Sequence, residues 1–517
     1  MPRRIVLFAL CVVAGACASS PKRPAIAHGP SPSERIAAAD TLVRAGCFDC
    51  LLAAFREYDA LRAVPAVAAA ATTGATRTAA LLAVRERDLG TEDSGYLRKA
   101  SELAASTTPN DPTLPLLLQI ADSLPARGGA RFVTDDTALA RNQTALRNQA
   151  PWTEALRLHA DEDPLAAYLW LSFNCAYVSA ARQTLPDWLA VVPAWRDTSL
   201  LKFKAAVCAG YTRASFESLL QAEPRFVELH YFIGASAAFA GKIDDAIEHL
   251  LRAYEWRQRW PGVTYSLAAD YVALEEFDKA IEFYDRTLEV MPTFPDALLE
   301  KGKTLTYAGR YTEAIATLDR LLALERWLVG DARYWRAVNE NQLEQLDVAW
   351  NDLELAARLM RNAAVPKLAG IVAYKRHQLD VARAKFEESW KLGRDDCETG
   401  FYLGIVLGEQ SNWAQTAQVL TDTTACLEKA EEKLKVEIAA IQVSTDHPER
   451  QLRQIRKREQ DIAKGRRMTA TSWFNLAVSY FSLSRKNEAR EFAAKVADDE
   501  QFGERARDLL SRLRDHD

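Results

Sequence analysis

Side chains that could do chemistry are few and scattered in this 517-residue chain. Cys47-Phe48-Asp49-Cys50 has the spacing of a redox pair or of half a metal site. A zinc centre needs a second such pair or nearby histidines, and a dithiol exchanger needs a βαβ setting; the neighbouring residues offer neither. The motif therefore reads as a local disulfide or two buried thiols. The seven histidines, His28, His159, His230, His249, His377, His447 and His516, form no H-E-x-x-H, and none stands beside a cysteine at zinc spacing. His230 and His249 read as surface or partly packed residues. P-loops, dinucleotide-binding glycine loops and G-x-S-x-G turns are missing as well. Carboxylates abound, but on alanine-rich helices they more often form solvated faces than the opposed pair that glycoside cleavage requires. No catalytic residue, cofactor or metal ligand is nominated, and the expectation is a protein that is not an enzyme.

Composition bounds the alternatives. Hydrophobic residues make up 49% of the chain, enough for a folded core. A net charge of -5, with acids and bases interspersed, gives no reason to expect nucleic acid. Of eight cysteines, Cys11 and Cys17 lie near the start, leaving Cys47, Cys50, Cys175, Cys208, Cys397 and Cys426, an even number suited to an oxidising compartment.

The first residues point to export. Arg3 and Arg4 precede an apolar run, Ile5 to Val13, that is too short to span a bilayer, so residues 1–16 read as a secretory signal. Ala14-Gly15-Ala16-Cys17 resembles a bacterial lipoprotein box, which implies lipidation of Cys17 and a membrane anchor. Ala14 stands where that box usually has leucine, and the same three residues also form an A-x-A site for ordinary cleavage. Residues 17–33 read as a flexible polar tether, and Ala18-Ser19 lack the aspartate of inner-membrane retention. The expectation is an outer-membrane lipoprotein, periplasm-facing or surface-exposed.

The strongest pattern lies further on. Gly234 and Ala246, Ala268 and Ala280, Gly302 and Ala314, Ala337 and Ala349, Gly370 and Ala382, and Gly404 and Thr416 are each twelve residues apart, in successive steps of 33 to 35 residues. Small residues facing one another on two helices let them approach closely, while larger neighbours such as Leu267, Tyr271 and Tyr284 fill the interface. This period and pattern resemble the tetratricopeptide repeat family. A seventh pair, Ala477 and Ala489, follows after an interruption, and Trp473 to Tyr480 is the stretch most similar to the family's first helix. The resemblance implies an all-α fold: an α-solenoid of antiparallel helix pairs, the tetratricopeptide superhelix, with a charged helical-hairpin insertion near the C-terminus. It divides the chain into degenerate helical repeats (34–226), a regular array (227–430), the insertion (431–469), and a final repeat with a capping helix (470–517). Within 34–226, Glu34 to Arg62 reads as a helical hairpin turning at Gly46. Breaks are expected at Thr72 to Gly74, Thr108 to Pro112, Gly128-Gly129 and Asp161 to Pro164, in helical pairs continuing the solenoid.

In that family the first helix of each repeat lines a concave groove. Carried onto this chain, the groove positions are Tyr231, Tyr265, Leu299, Tyr334, Lys367 and Phe401, with Tyr307 and Tyr374 at later positions of their repeats. Rings with hydroxyl tips suit an extended peptide or a partner helix; the competing reading is that they only stack between neighbouring helices. Cys397 and Cys426 stand at ends that a helical hairpin makes neighbours, so a disulfide between them is expected to be within reach. The insertion is either a solvated hairpin or a docking arm whose basic second helix, with Arg450, Arg453, Arg456, Lys457, Arg458, Arg466 and Arg467, meets an acidic partner or anionic lipid. The function expected is a non-enzymatic scaffold binding a protein or peptide at the cell envelope. Alternatives are a carbohydrate binder using the groove tyrosines and an envelope hydrolase with its site in 63–224.

Overall fold

The computed structural model describes residues 29–106, 111, 113–124, 145, 147–175, 189–208, 213–325, 328–441 and 447–515. Cys17 and the signal segment lie outside the described residues, as do Gly128-Gly129. Among the described residues every regular element is helical, and no helix is long and apolar enough to cross a membrane.

The first helix, α1 (Pro32–Ala45), begins inside the stretch expected as tether. Ser31 starts it with a capping box, its hydroxyl accepting from the Glu34 amide while the Glu34 carboxylate accepts from the Ser31 N–H at 2.6 Å. Gly46, at a φ of 72°, turns the chain into α2 (Phe48–Leu61). Helix α3 (Ala68–Leu89) then runs unbroken through Thr72 to Gly74, correcting the expected break. Gly74 is a point of close approach, since a Cβ there would lie 2.6 Å from the Tyr58 ring. Helices α4 (Tyr96–Ser106), α5 (Leu114–Ser123), α6 (Gln149–His159), α7 (Pro164–Phe173), α8 (Ser199–Cys208) and α9 (Arg213–Ala222) follow.

These helices do not stack as a plain continuation of pairs. Helix α3 touches α1, α2, α4, α5 and α7, and α8 returns to α1. The reason lies along α3, where Arg85, Glu86 and Asp88 are all buried. Buried charges are tolerable only when several neighbours hydrogen-bond them. Arg85 donates to the Gly46 carbonyl at 2.7 Å, lies 3.7 Å over the Phe203 ring, and stands 3.8 Å from Glu228. Asp88 accepts from the Tyr168 hydroxyl at 2.5 Å and pairs with Lys204, while Glu86 accepts from Ser94 at 2.6 Å. Meeting those needs gathers the helices into a bundle.

The array is regular. Its six helix pairs are α10 (Leu229–Phe239) with α11 (Ile243–Trp256), α12 (Pro261–Ala273) with α13 (Phe277–Val290), and α14 (Pro295–Tyr307) with α15 (Tyr311–Leu322). Then come α16 (Val329–Gln342) with α17 (Leu346–Leu359), α18 (Ala364–Lys375) with α19 (Leu379–Leu392), and α20 (Cys397–Glu409) with α21 (Trp413–Ala440). Each helix packs on its partner and on the next pair. The small residues sit at the crossings: Ala246, Ala268, Ala280, Ala314, Ala337, Ala349 and Ala382 are fully buried. At Gly234, Gly302, Gly370 and Gly404 a Cβ would meet Leu250, Leu318, Phe386 and Leu420 at 2.8, 2.7, 2.6 and 2.2 Å. The covering residue is always four positions beyond the small one on the second helix, one turn along the same face.

The insertion is a helical hairpin whose two arms are continuous with the neighbouring repeat helices. Its first half prolongs α21 to 28 residues, and its second half runs without interruption into the last repeat as α22 (Pro448–Ser482), 35 residues long. Helices α23 (Lys486–Lys495) and α24 (Gly503–Asp515) close the fold, with Ala477, Ala489 and Leu513 buried among them. Disulfides join Cys47 to Cys50, Cys175 to Cys208 and Cys397 to Cys426, with Cα atoms 4.9, 5.6 and 5.5 Å apart.

Candidate functional site: the inner face and its arm

The first helices of the array, α10, α12, α14, α16, α18 and α20, place the groove residues in unequal roles. Tyr231 packs 4.9 Å from the Trp260 ring and Tyr265 packs 5.4 Å from Phe294. Trp260 and Phe294 each immediately precede the next repeat's first helix, so these two tyrosines form equivalent joints between repeats. Leu299 is only 4% exposed and belongs to the core, which corrects its placement as a groove-facing residue. A leucine without a polar tip gains more by burial between α14 and its neighbours than by facing solvent.

Other residues keep accessible surface. Tyr307 is 52% exposed and leans edge-on against Trp335 at 5.6 Å, and Tyr334 also meets that indole edge-on at 5.7 Å. Tyr374 donates to Glu409 at 2.6 Å and lies 6.4 Å from Tyr402, which also stacks on Phe386 and touches Phe401. Burial, then the hydrogen bond to Glu409, pushes the Tyr374 hydroxyl up to about 12, so it stays protonated. Lys367 is held by Asp396 at 3.0 Å and Glu398 at 3.3 Å. Two aromatic clusters therefore stand on consecutive first helices, joined through a lysine already neutralised by acids. Trp335 and Tyr402 were not among the sequence-derived groove positions because each lies one residue past the counted one. Phe239, 97% exposed at the end of α10, was missed although it occupies the position that Tyr307 occupies two repeats later.

Helix α22 reaches the array through ion pairs. Arg450 pairs with Asp244 at 2.5 Å and Glu276 at 3.0 Å, and Lys457 reaches Glu275 at 3.1 Å. Further along, Lys464 reaches Glu398 at 3.0 Å, and Arg466 and Arg458 pair with Glu431 and Glu437 of α21. Asp244, Glu275 and Glu276 lie at the turns within the first two pairs, whereas Glu398 begins the first helix of the sixth. The contacts thus sit on opposite edges of the array, which α22 links. Acids of the same chain thus hold Arg450, Lys457 and Lys464.

Two clusters outside this face have an enzymatic look and a structural explanation. His230 and His249 face each other with Nδ1 atoms 2.7 Å apart, and His249 Nε2 stands 3.6 Å from Asp245. Burial, then the neighbouring ring, pushes His230 down to about 4, so near neutrality one neutral imidazole donates to the other. No group of three histidine, cysteine or acidic side chains could hold a metal among the described residues. The carboxylates of the N-terminal bundle, Glu86 and Asp88, are buried and engaged as described, and Glu228 accepts from the Phe48 amide at 2.8 Å. Burial raises Glu228 to about 7, partly offset by Arg85. Glu86 with Arg257 and Glu228 with Arg85 link α3 to the array, while Asp88 ties α3 to α7 and α8.

The helix pairs with small residues at their crossings agree with a family match. The tetratricopeptide repeat profile matches residues 271–339, from the end of α12 through α16. The chain carries tetratricopeptide repeats. Among curated proteins it is similar to ER membrane protein complex subunit 2-A of Xenopus laevis and subunit 2 of Xenopus tropicalis. Each is 33% identical over 98 residues, 18% of this chain and 32% of theirs. The chain thus spans about a third of the length of these relatives. Solved structures with similarity include MamA from Desulfovibrio magneticus RS-1, at 19% identity over 33% of this chain and 96% of that one, with a TM-score of 0.31. PilW, a type IV pilus biogenesis factor, is 18% identical over 39% of this chain and 92% of that one, with a TM-score of 0.34. In tetratricopeptide terms, the face described above is the concave surface formed by the first helix of each repeat.

Proposed function

We propose that the concave face holds a segment of a partner protein, seated on the cluster of Tyr307, Trp335 and Tyr334 and the cluster of Tyr374, Tyr402 and Phe401. The observation that carries this reading is Tyr307, a ring left half exposed beside a second aromatic on the inner face, where packing alone would bury it. Flat rings with polar tips recognise peptides at low entropic cost, because few torsions are frozen on binding. The finer reading is of a scaffold working in the cell envelope: Cys17, following Ala14-Gly15-Ala16, supplies a diacylated anchor, and assembly, secretion or export would be its setting.

Site-specific photocrosslinking in intact cells tests the face. A photoreactive residue at Tyr307 or Tyr374 should capture a peptide segment that the same residue at exposed Glu282, on the second helix of its repeat, does not. Equal capture at all three positions would remove the concave face from the proposal. Binding to a glycan array that disappears in Tyr307→Ala would transfer the face to carbohydrate. The anchor is tested by palmitate labelling, which Cys17→Ser should abolish; unlabelled wild-type protein would leave ordinary signal cleavage in its place.

A further inference from the structure

The first repeat of the array is fastened to its surroundings by a run of polar side chains that the concave face does not use. His230, near the start of α10, and His249, on α11, meet head-on, with Nδ1 atoms 2.7 Å apart and ring centroids 5.0 Å apart. Two ring radii account for the difference, so the nitrogens lie on the line between the rings and a single hydrogen atom fills the gap. When both rings are neutral, one N–H faces one lone pair. A first added proton is accommodated, because an imidazolium still donates to a neutral ring and Asp245, 3.6 Å from His249 Nε2, balances its charge. A second is not, since two N–H groups and two positive charges would then face each other across the gap.

The run continues outward from the rings. Arg213 of α9 holds Asp245 through two of its nitrogens and Glu217 of its own helix at 2.6 Å. Asp244, one residue earlier on α11, receives Arg450 of α22. Of the other charges near the rings, Glu248 and Arg252 lie on α11 and pair with each other at 2.8 Å. Helix α12 packs on both α10 and α11, and among the described residues none of its charged groups acts on His230. Burial holds both rings below the ordinary histidine range, His230 with the added push of its partner and His249 against the pull of Asp245. The unfolded chain takes up these protons near about 6.5, so the stability of the neutral pair is complete above that pH. It is lost as pH falls through the folded values, which for His230 is about 4. Buried Glu228, two residues before His230, has the opposite dependence, because it keeps its proton up to about 7.

We infer that the two histidines form an acid-sensitive clasp: doubly protonated, they part α10 from α11 and carry Asp244 and Asp245 away from Arg450 and Arg213. Helix α10 stays on the bundle, where Phe216 of α9 stacks on Phe232 at 5.1 Å and carries no charge to titrate. Acid therefore releases the N-terminal half of α11, and with it the seat of the α22 tip.

Hydrogen exchange of the full-length protein at pH 7 and pH 4.5, corrected for the intrinsic effect of pH on exchange, tests the clasp. Residues 295–322, which contain no histidine, serve as the internal reference. Protection of 229–256 should fall by about tenfold or more at the lower pH while that of 295–322 holds. His230→Phe with His249→Phe keeps two rings at the crossing and should abolish the fall. His249→Gln, which hydrogen-bonds without taking a charge, replaces that variant should it already be loose at pH 7. Protection of 229–256 that persists at pH 4.5 would overturn the inference. So would an equal fall in the variants, which would assign it to Asp244 and Asp245, or a fall shared by 295–322, which would mean that the array unfolds as a whole.

Discussion

Two tyrosines on first helices of the array, Tyr265 and Tyr307, illustrate how much a single residue's role depends on its neighbours. Tyr265 is wedged against Phe294 and Tyr284, so Tyr265→Ala should cost about 2 to 4 kcal/mol of stability, as truncating a packed aromatic does. Tyr307→Ala should cost less than about 1 kcal/mol, as surface changes do, while weakening partner capture. Urea unfolding and crosslinking yield on the same two variants check both; a Tyr307 variant as unstable as the Tyr265 one would reassign that ring to packing. Asp270 offers a second residue-scale measurement. It is 5% exposed, one of its carboxylate oxygens has no partner, and burial pushes it up to about 7. The unfolded chain ionises this group near its ordinary value of about 3.9, so between about 4 and 7 the folded state holds the extra proton. Stability contributed by the protonated form is therefore complete below that window and lost as pH rises through it. Asp270→Asn should raise stability by about 1 to 3 kcal/mol at pH 8 and by much less at pH 4.5. Urea midpoints at the two pH values decide it, and an equal effect at both would show that Asp270 is not the titrating group.

Between residue and molecule, helices differ in how openly their packing is written. The crossings of the array are legible because close approach of two helices demands a small residue at each contact, and Gly234 to Ala382 repeat that demand at a fixed spacing. Ala280→Leu should therefore destabilise the second repeat by about 1 to 3 kcal/mol, measured by thermal unfolding; wild-type melting would mean that α12 and α13 do not cross there. The rings facing the groove were less legible. Counting positions led to Tyr334 and Phe401, and to Leu299, which is buried, whereas accessible surface also falls on Trp335 and Tyr402, because a small rotation of a first helix exchanges one position for its neighbour. Helix α3 was misread at Thr72 to Gly74 for a related reason: glycine usually interrupts helices, but here its missing Cβ makes room for Tyr58. The Cys397–Cys426 link was legible because both ends of a hairpin are local. It closes a loop of 29 residues, so replacing both cysteines by serine should cost about 3 kcal/mol, a loss readable in the melting of α20 and α21 by hydrogen exchange.

Across the whole molecule, the least legible feature is the course of α22, because the acids that receive it lie far away in sequence. Arg450 and Asp244 are 206 residues apart, and Lys457 and Glu275 are 182 apart. Charge balance within the insertion gave no sign of partners so distant. A helix of 35 residues spans about 50 Å, long enough to act as a chord from the sixth repeat to the first two. Its two ends are held unequally. Towards the C-terminus, the packing of Leu476 and Ala477 against Leu420 anchors it through buried apolar surface. Its other end packs along α21 and meets the first two repeats through ion pairs, of which Lys457 is exposed and Arg450 and Glu276 are largely sheltered. Exposed pairs contribute at most about 1 kcal/mol each and weaken with salt, so the tip should release before the base. Spin labels at exposed Arg456 and Asp278 would report this: Arg450→Glu with Lys457→Glu should lengthen and broaden their separation, as should 1 M salt to a smaller degree. Pairing Arg450→Glu with Glu276→Arg should restore part of the short distance, because the sheltered pair is remade with its charges exchanged. If the double charge reversal leaves the separation unchanged, apolar contacts rather than ion pairs hold the tip.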